Sequence, residues 1–125
     1  MLLLNAFSIN MFNPSICFPI FREIDVDYVK SFNLVSAIGH ADTAKVLSSI
    51  LEMDIPTNRI SVTLNSGDFA IVAQYIGPRL QEGVTQLPDD AEIRFYLVKM
   101  IDVGLIAPHR VVNQPAFGWA WRNYS

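Results

Sequence analysis

His40 stands directly after Gly39, at the head of a stretch with helical spacing. An imidazole in that place is suited to acid–base work on an anion. Glycine lets a ligand approach the backbone, and a helix start offers unpaired N–H groups and the positive end of the dipole. A phosphodiester held there would lie beside a general acid. Arg79 and Glu82, in a loop rich in Gly and Pro, add a guanidinium fork for phosphate and a carboxylate that can serve as a base or orient a hydroxyl. Asn5, Ser8 and Asn10 close an apolar run and can donate hydrogen bonds to phosphate or ribose, and Arg59 is a second cation for a polyanion. Each residue also has an ordinary structural account. His40 can be a capping or surface residue, Arg79 and Glu82 a solvated pair, Asn58-Arg59 a loop cap, and the Asn/Ser group plain turn chemistry.

No metal-ligand set accompanies these residues in the sequence. His40 and His109 are the only histidines, and no carboxylate cluster stands at ligand spacing. There is no P-loop and no GxGxxG string. A nuclease built from these parts is therefore expected to need neither metal nor cofactor and to work as RNA cleaves itself. The ribose 2′-oxygen attacks the adjacent phosphorus, the bond to the 5′-oxygen breaks, and an acid protonates the departing oxygen. The product ends in a 2′,3′-cyclic phosphate, and DNA would be inert.

The elements that must position these groups follow from periodicity. Leu2 to Phe7 reads as a buried strand ending at the Ser8-Ile9-Asn10 turn, and Ile16 to Ile24 as an extended segment that Pro19 confines to an edge. Asp25-Val26-Asp27 opens a short helix, and Leu34 to Ile38 is a β-prone run that stops at Gly39. His40 to Leu51 is the strongest helix: Ala44, Leu47 and Leu51, flanked by Val46 and Ile50, form one apolar stripe, and Asp42 suits its dipole. Ile60 to Leu64 alternates like a half-buried strand and leads through the Asn65–Asp68 turn into a strand from Phe69 to Ile76. A polar connection from Gly77 to Glu92 precedes a last strand from Ile93 to Ile101. The expected fold is α/β: a single domain over residues 1–101, with a mixed sheet of about five strands and flanking helices. Residues 102–125, with Trp119 and Trp121, read as an irregular aromatic extension.

Composition narrows the partners. Apolar residues make up 51% of the 125-residue chain and charged residues 17%, so a two-fold homodimer is expected to cover the excess apolar surface. The formal net charge of -3 argues against coating duplex DNA, so a DNA-binding regulator is disfavoured. Cys17 is the only cysteine and sits among Ile16, Phe18 and Ile20, as a buried thiol would. The apolar start Met1–Leu4 lacks the basic residues of a leader, and no run approaches the roughly eighteen apolar residues of a membrane span. A soluble, intracellular protein is expected.

Four strings, in order, carry a family resemblance: Leu4 to Asn10, Ser36-Ala37-Ile38-Gly39-His40, Asn58-Arg59, and Gln74 through Gly83. Over roughly residues 1–101 the chain resembles the viral ring nucleases, small proteins of archaeal viruses, phages and prophages that act as type III anti-CRISPRs. The resemblance implies a homodimer with a mixed sheet, located in the host cytoplasm, that cleaves cyclic tetra-adenylate. It implies that His40, in the SxIGH string, is the general acid and that Glu82 and Arg79, in the RLxEG string, belong to the same site. It also implies that Asn5, Ser8 and Asn10 line the ligand pocket. A two-fold dimer would set one His40 at each of two opposite phosphodiesters and release linear di-adenylates. The competing expectation is a non-catalytic dimer that binds a host protein or sequesters a nucleotide.

Overall fold

Two short strands and three longer ones meet in one sheet. In the computed structural model, which describes residues 1–105, β1 (Leu2–Leu4) lies between β3 (Val35–Ser36) and β4 (Phe69–Ile76) and runs parallel to both. β5 (Glu92–Asp102) is antiparallel to β4, and β2 (Cys17–Ile24) is antiparallel to β5, giving the order β2–β5–β4–β1–β3. The expected mixed α/β sheet is thus present with five strands and two helices. Pro19 lies in edge strand β2, where a missing N–H can be tolerated.

Both helices serve one face. α1 (Val26–Lys30) is capped by Asp25, whose Oδ1 accepts the Tyr28 N–H at 2.8 Å. α2 (Ala41–Leu51) carries the chain from β3 to β4, and its stripe of Ala44, Leu47 and Leu51 packs with Leu3, Ile38, Ile71 and Ala73. A fully buried leucine such as Leu47 contributes about 1.5–3 kcal/mol, so this stripe fixes where the helix lies. On the opposite face Leu4, Ala70, Val72 and Val98 are covered by Phe7, Met11, Phe12, Val62 and Leu64. Cys17 is buried in this second layer, as expected.

Three expectations are corrected. Ile60 to Leu64 is not a strand. Its alternation points Val62 and Leu64 inward and leaves Ser61 and Thr63 exposed, but the segment lies over the second face of the sheet, with Val62 and Leu64 packed in the layer of Leu4, Val72 and Val98, instead of pairing at an edge. The segment keeps a main-chain bond from Leu64 N–H to the Met11 carbonyl, and the Asn65–Asp68 turn forms without a paired strand before it. β1 ends at Leu4 instead of Phe7, because Phe7 turns onto the second face against Phe12 and Phe21, with ring centroids 5.6 and 5.3 Å away. β5 runs through Asp102, which pairs with Cys17 and so belongs to the sheet. Trp119, Trp121 and the rest of the expected extension beyond residue 105 lie outside the described residues, as does His109. Among the described residues no helix is long and apolar enough to cross a membrane.

Candidate functional site

Because β1, β3 and β4 are parallel, their C-terminal ends share one edge of the sheet. The chain leaves β3, passes through α2 and enters β4 on the other side of β1. Crevices in α/β sheets form at such points, outside the carboxyl ends of the strands. Asn5 follows β1, His40 follows β3, and Gly77 and Arg79 follow β4; all four line a cavity of about 640 Å³. Asp42 and Thr43, in the first turn of α2, line it too, together with Tyr75 and the apolar Leu47, Ala73, Leu80 and Ile93. That volume lies within the roughly 300–1,000 Å³ typical of small-molecule sites.

The approach to His40 is clamped from the side. Ser36 is buried, and its Oγ donates to the Pro56 carbonyl while accepting the Ile38 N–H at 3.2 Å. Asn58 donates its N–H to the Ile38 carbonyl at 2.8 Å and its Nδ2 to the Ser36 carbonyl at 2.7 Å. Arg59 donates Nε and Nη2 to the Gly39 carbonyl at 3.3 and 3.0 Å. The segment Pro56–Arg59 thereby holds the backbone that delivers His40 to the helix start. His40 is the N-cap residue by backbone conformation, yet its imidazole makes no capping hydrogen bond. The ring is therefore not committed to the helix.

Arg79 is placed by a constrained turn. Gly77 has φ 152°, and a Cβ there would stand 2.5 Å from the Ala91 Cβ, so glycine is required where the connection passes the start of β5. The Tyr75 hydroxyl donates to the Pro78 carbonyl, and Ser49 Oγ donates to the Thr85 carbonyl at 3.0 Å, tying the connection to α2.

Of the residues singled out from the sequence, the cavity gathers His40, Asn5 and Arg79. Glu82 is exposed in the β4–β5 connection, outside the cavity lining. Ser8 caps a 3-10 turn (Ile9–Met11) by accepting the Asn10 N–H at 3.2 Å, and neither Ser8 nor Asn10 lines the cavity. Arg59 is not among the lining residues either; it donates to the carbonyl of Gly39, the residue before His40. Asp42, Thr43 and Tyr75 are lining residues that sequence reasoning did not assign to the site. A signal existed for each: Asp42 and Thr43 immediately follow His40 on a helix, and Tyr75 lies two residues beyond buried Ala73, on the same face of β4.

Charge pairing takes place elsewhere. Lys30 Nζ donates to Glu52 Oε1 at 2.9 Å, which holds the Glu52 carboxyl below its ordinary value, and Arg94 pairs with Glu92 at 2.9 Å. Among the described residues, no group of three or more His, Cys, Asp or Glu side chains comes together to hold a metal.

Residues 1–97 match the family model described as STIV B116-like, and the chain belongs to that family. B116 of Sulfolobus turreted icosahedral virus has the same fold, with a TM-score of 0.63 and 28% identity, covering 78% of this chain and 97% of B116. Protein ORF116 of Acidianus filamentous virus 1 (isolate United States/Yellowstone) is 32% identical over an alignment of 112 residues, and the match covers 81% of this chain and 96% of that protein. Protein 26 of Sulfolobus islandicus filamentous virus (isolate Iceland/Hveragerdi) is 35% identical over 66 residues, 50% of this chain. The match spans 55% of protein 26, so the chain covers about half the length of that relative. The resemblance to small viral proteins drawn from the sequence strings therefore holds.

Proposed function

We propose that this STIV B116-like protein is a metal-independent ring nuclease. It opens cyclic tetra-adenylate into linear di-adenylates ending in 2′,3′-cyclic phosphate and so counters type III CRISPR signalling in the host cytoplasm. The observation that carries the reading is the convergence of His40, Asn5 and Arg79 on one cavity at the start of α2. A phosphate there would meet the free N–H groups of the first turn and the positive end of the helix dipole. Arg79 supplies a charged fork and Asn5 a neutral amide. As the 2′-hydroxyl gives its proton to water and its oxygen bonds to phosphorus, the P–O5′ bond breaks, and His40, acting as the general acid, gives a proton to the departing O5′. Tyr75 acts indirectly, by holding Pro78 next to Arg79.

Size favours a two-fold assembly. A cavity of about 640 Å³ is on the scale of a drug-sized ligand and not of a ring of four nucleotides. Two such cavities across a homodimer axis would each take half of the ring. The position of Glu82 outside the cavity lining favours a second reading, in which the dimer sequesters the ring without cutting it.

The test is incubation of the purified protein with cyclic tetra-adenylate in EDTA, followed by chromatography of the products. Di-adenylate with a cyclic phosphate end is the expected outcome. Intact ring recovered in complex with the protein would favour sequestration, and an unbound, uncut ring would overturn both readings.

A further inference from the structure

We infer that Asp42 reads the ribose 2′-hydroxyl of the nucleotide whose phosphate rests at the start of α2. This deepens the ring-binding reading above and rests on it. Asp42 is half-buried and lines the cavity two residues after His40, and the other formally charged lining residue is Arg79. Among the described residues the ion pairs are Lys30–Glu52 and Arg94–Glu92, and the Asp42 carboxylate makes no side-chain hydrogen bond. A carboxylate facing a phosphate-binding cavity raises the cost of binding an anion unless the ligand brings it a donor.

A 3′,5′-linked cyclic oligoadenylate offers two kinds of donor. Its phosphates carry no proton at neutral pH, and its 3′- and 5′-oxygens are esterified, which leaves the 2′-hydroxyls and the N6 amino groups. Helix geometry chooses between them. The first main-chain bond of α2 runs from Ala44 N–H to the His40 carbonyl, so the N–H groups of Ala41, Asp42 and Thr43 precede it and are the ones a phosphate would meet. The 2′-hydroxyl sits on the carbon next to the one bearing the phosphate ester, whereas N6 is at the far side of the base. A carboxylate in that same turn is therefore matched to the 2′-hydroxyl. Acidic side chains take ribose hydroxyls in the same way at the switch points of doubly wound sheets.

The experiment uses full-length protein carrying His40→Ala, so that the ring stays intact. Calorimetric titration compares cyclic tetra-adenylate with its all-2′-deoxy form. The parent is expected to prefer the ribose ring by about ten- to a hundredfold, the range for a hydrogen bond to a charged group. Adding Asp42→Ala should erase that preference without weakening the deoxy ring, and Asp42→Asn, which keeps an acceptor oxygen, should retain part of it. Circular dichroism establishes that each variant is folded. A ribose preference that persists in Asp42→Ala overturns the inference. So does an Asp42→Ala variant that loses instead its discrimination between adenine and hypoxanthine rings. If no ring binds the folded parent or the wild type, the ring reading itself fails, and the Asp42 assignment falls with it.

Discussion

β1, β3 and β4 end together at one edge of the sheet, whereas β5 and β2 form an antiparallel ladder whose strand ends alternate in direction. Each half has a concavity. The parallel edge holds the cavity of about 640 Å³ with His40, Asn5, Asp42 and Arg79. The antiparallel half holds a groove of about 370 Å³ lined by Ile20, Phe21, Arg22, Phe69, Leu97 and Lys99. The groove also contains cations, but Lys99 Nζ already lies 5.2 Å from the centre of the Phe69 ring. Its residues come from within strands, where most of the backbone is spent on ladder bonds and only the outer side of edge strand β2 is open. The cavity's residues come largely from places where the chain leaves a strand or enters a helix, so main-chain donors are free and side chains from distant segments converge. Chemistry gathers where regular structure ends, and the substitutions below probe that difference.

The largest effect is expected at His40. His40→Ala should slow single-turnover cleavage of cyclic tetra-adenylate by roughly 10²–10⁴-fold, the usual range for a lost general acid, while equilibrium binding persists. A variant with full activity would move the chemistry away from this edge. Gly77→Ala should cost about 1–3 kcal/mol in a urea melt, because its φ of 152° and the approach to Ala91 leave no room for a methyl group. The same variant should bind the ring more weakly, since Arg79 follows two residues later. Unchanged stability and unchanged binding together would show that this turn does not set the site.

The parallel edge was partly legible in the sequence because its key residues are punctuation. His40 follows a glycine and opens a helix, Asn5 closes an apolar run, and Arg79 follows Gly77-Pro78; each stands where a pattern breaks. Glu82 is only three residues beyond Arg79, but loop conformation decides which side chains face a cavity, and spacing in an irregular segment does not. Ser8 and Asn10 show the same limit, because Ser8 turns back on the Asn10 amide. Asp42 was legible as a residue suited to the helix dipole, and its place in the cavity lining needed the fold to be seen. In the fold, the inward and outward sides of Ile60–Leu64 were readable, but whether such a segment pairs at an edge or lies over a face depends on the whole topology.

Smaller effects separate the two regions further. Arg79→Ala should weaken ring binding by about tenfold or more while changing the saturated cleavage rate less, as expected when a phosphate fork is lost. Normal binding with abolished cleavage would instead assign Arg79 to the transition state. In the groove, Lys99→Ala should shift stability by no more than about 0.5 kcal/mol and leave ring affinity unchanged, because Lys99 is exposed and remote from the cavity lining. A large loss of affinity there would break the contrast between the two halves.

The location of the ligand is the central claim, and amide chemical-shift mapping addresses it most directly. Isotope-labelled His40→Ala protein titrated with cyclic tetra-adenylate should show its largest changes at Asn5, Ala41 to Thr43, and Tyr75 to Leu80. Changes concentrated instead at Ile20, Phe69 and Lys99, with the start of α2 undisturbed, would contradict the account.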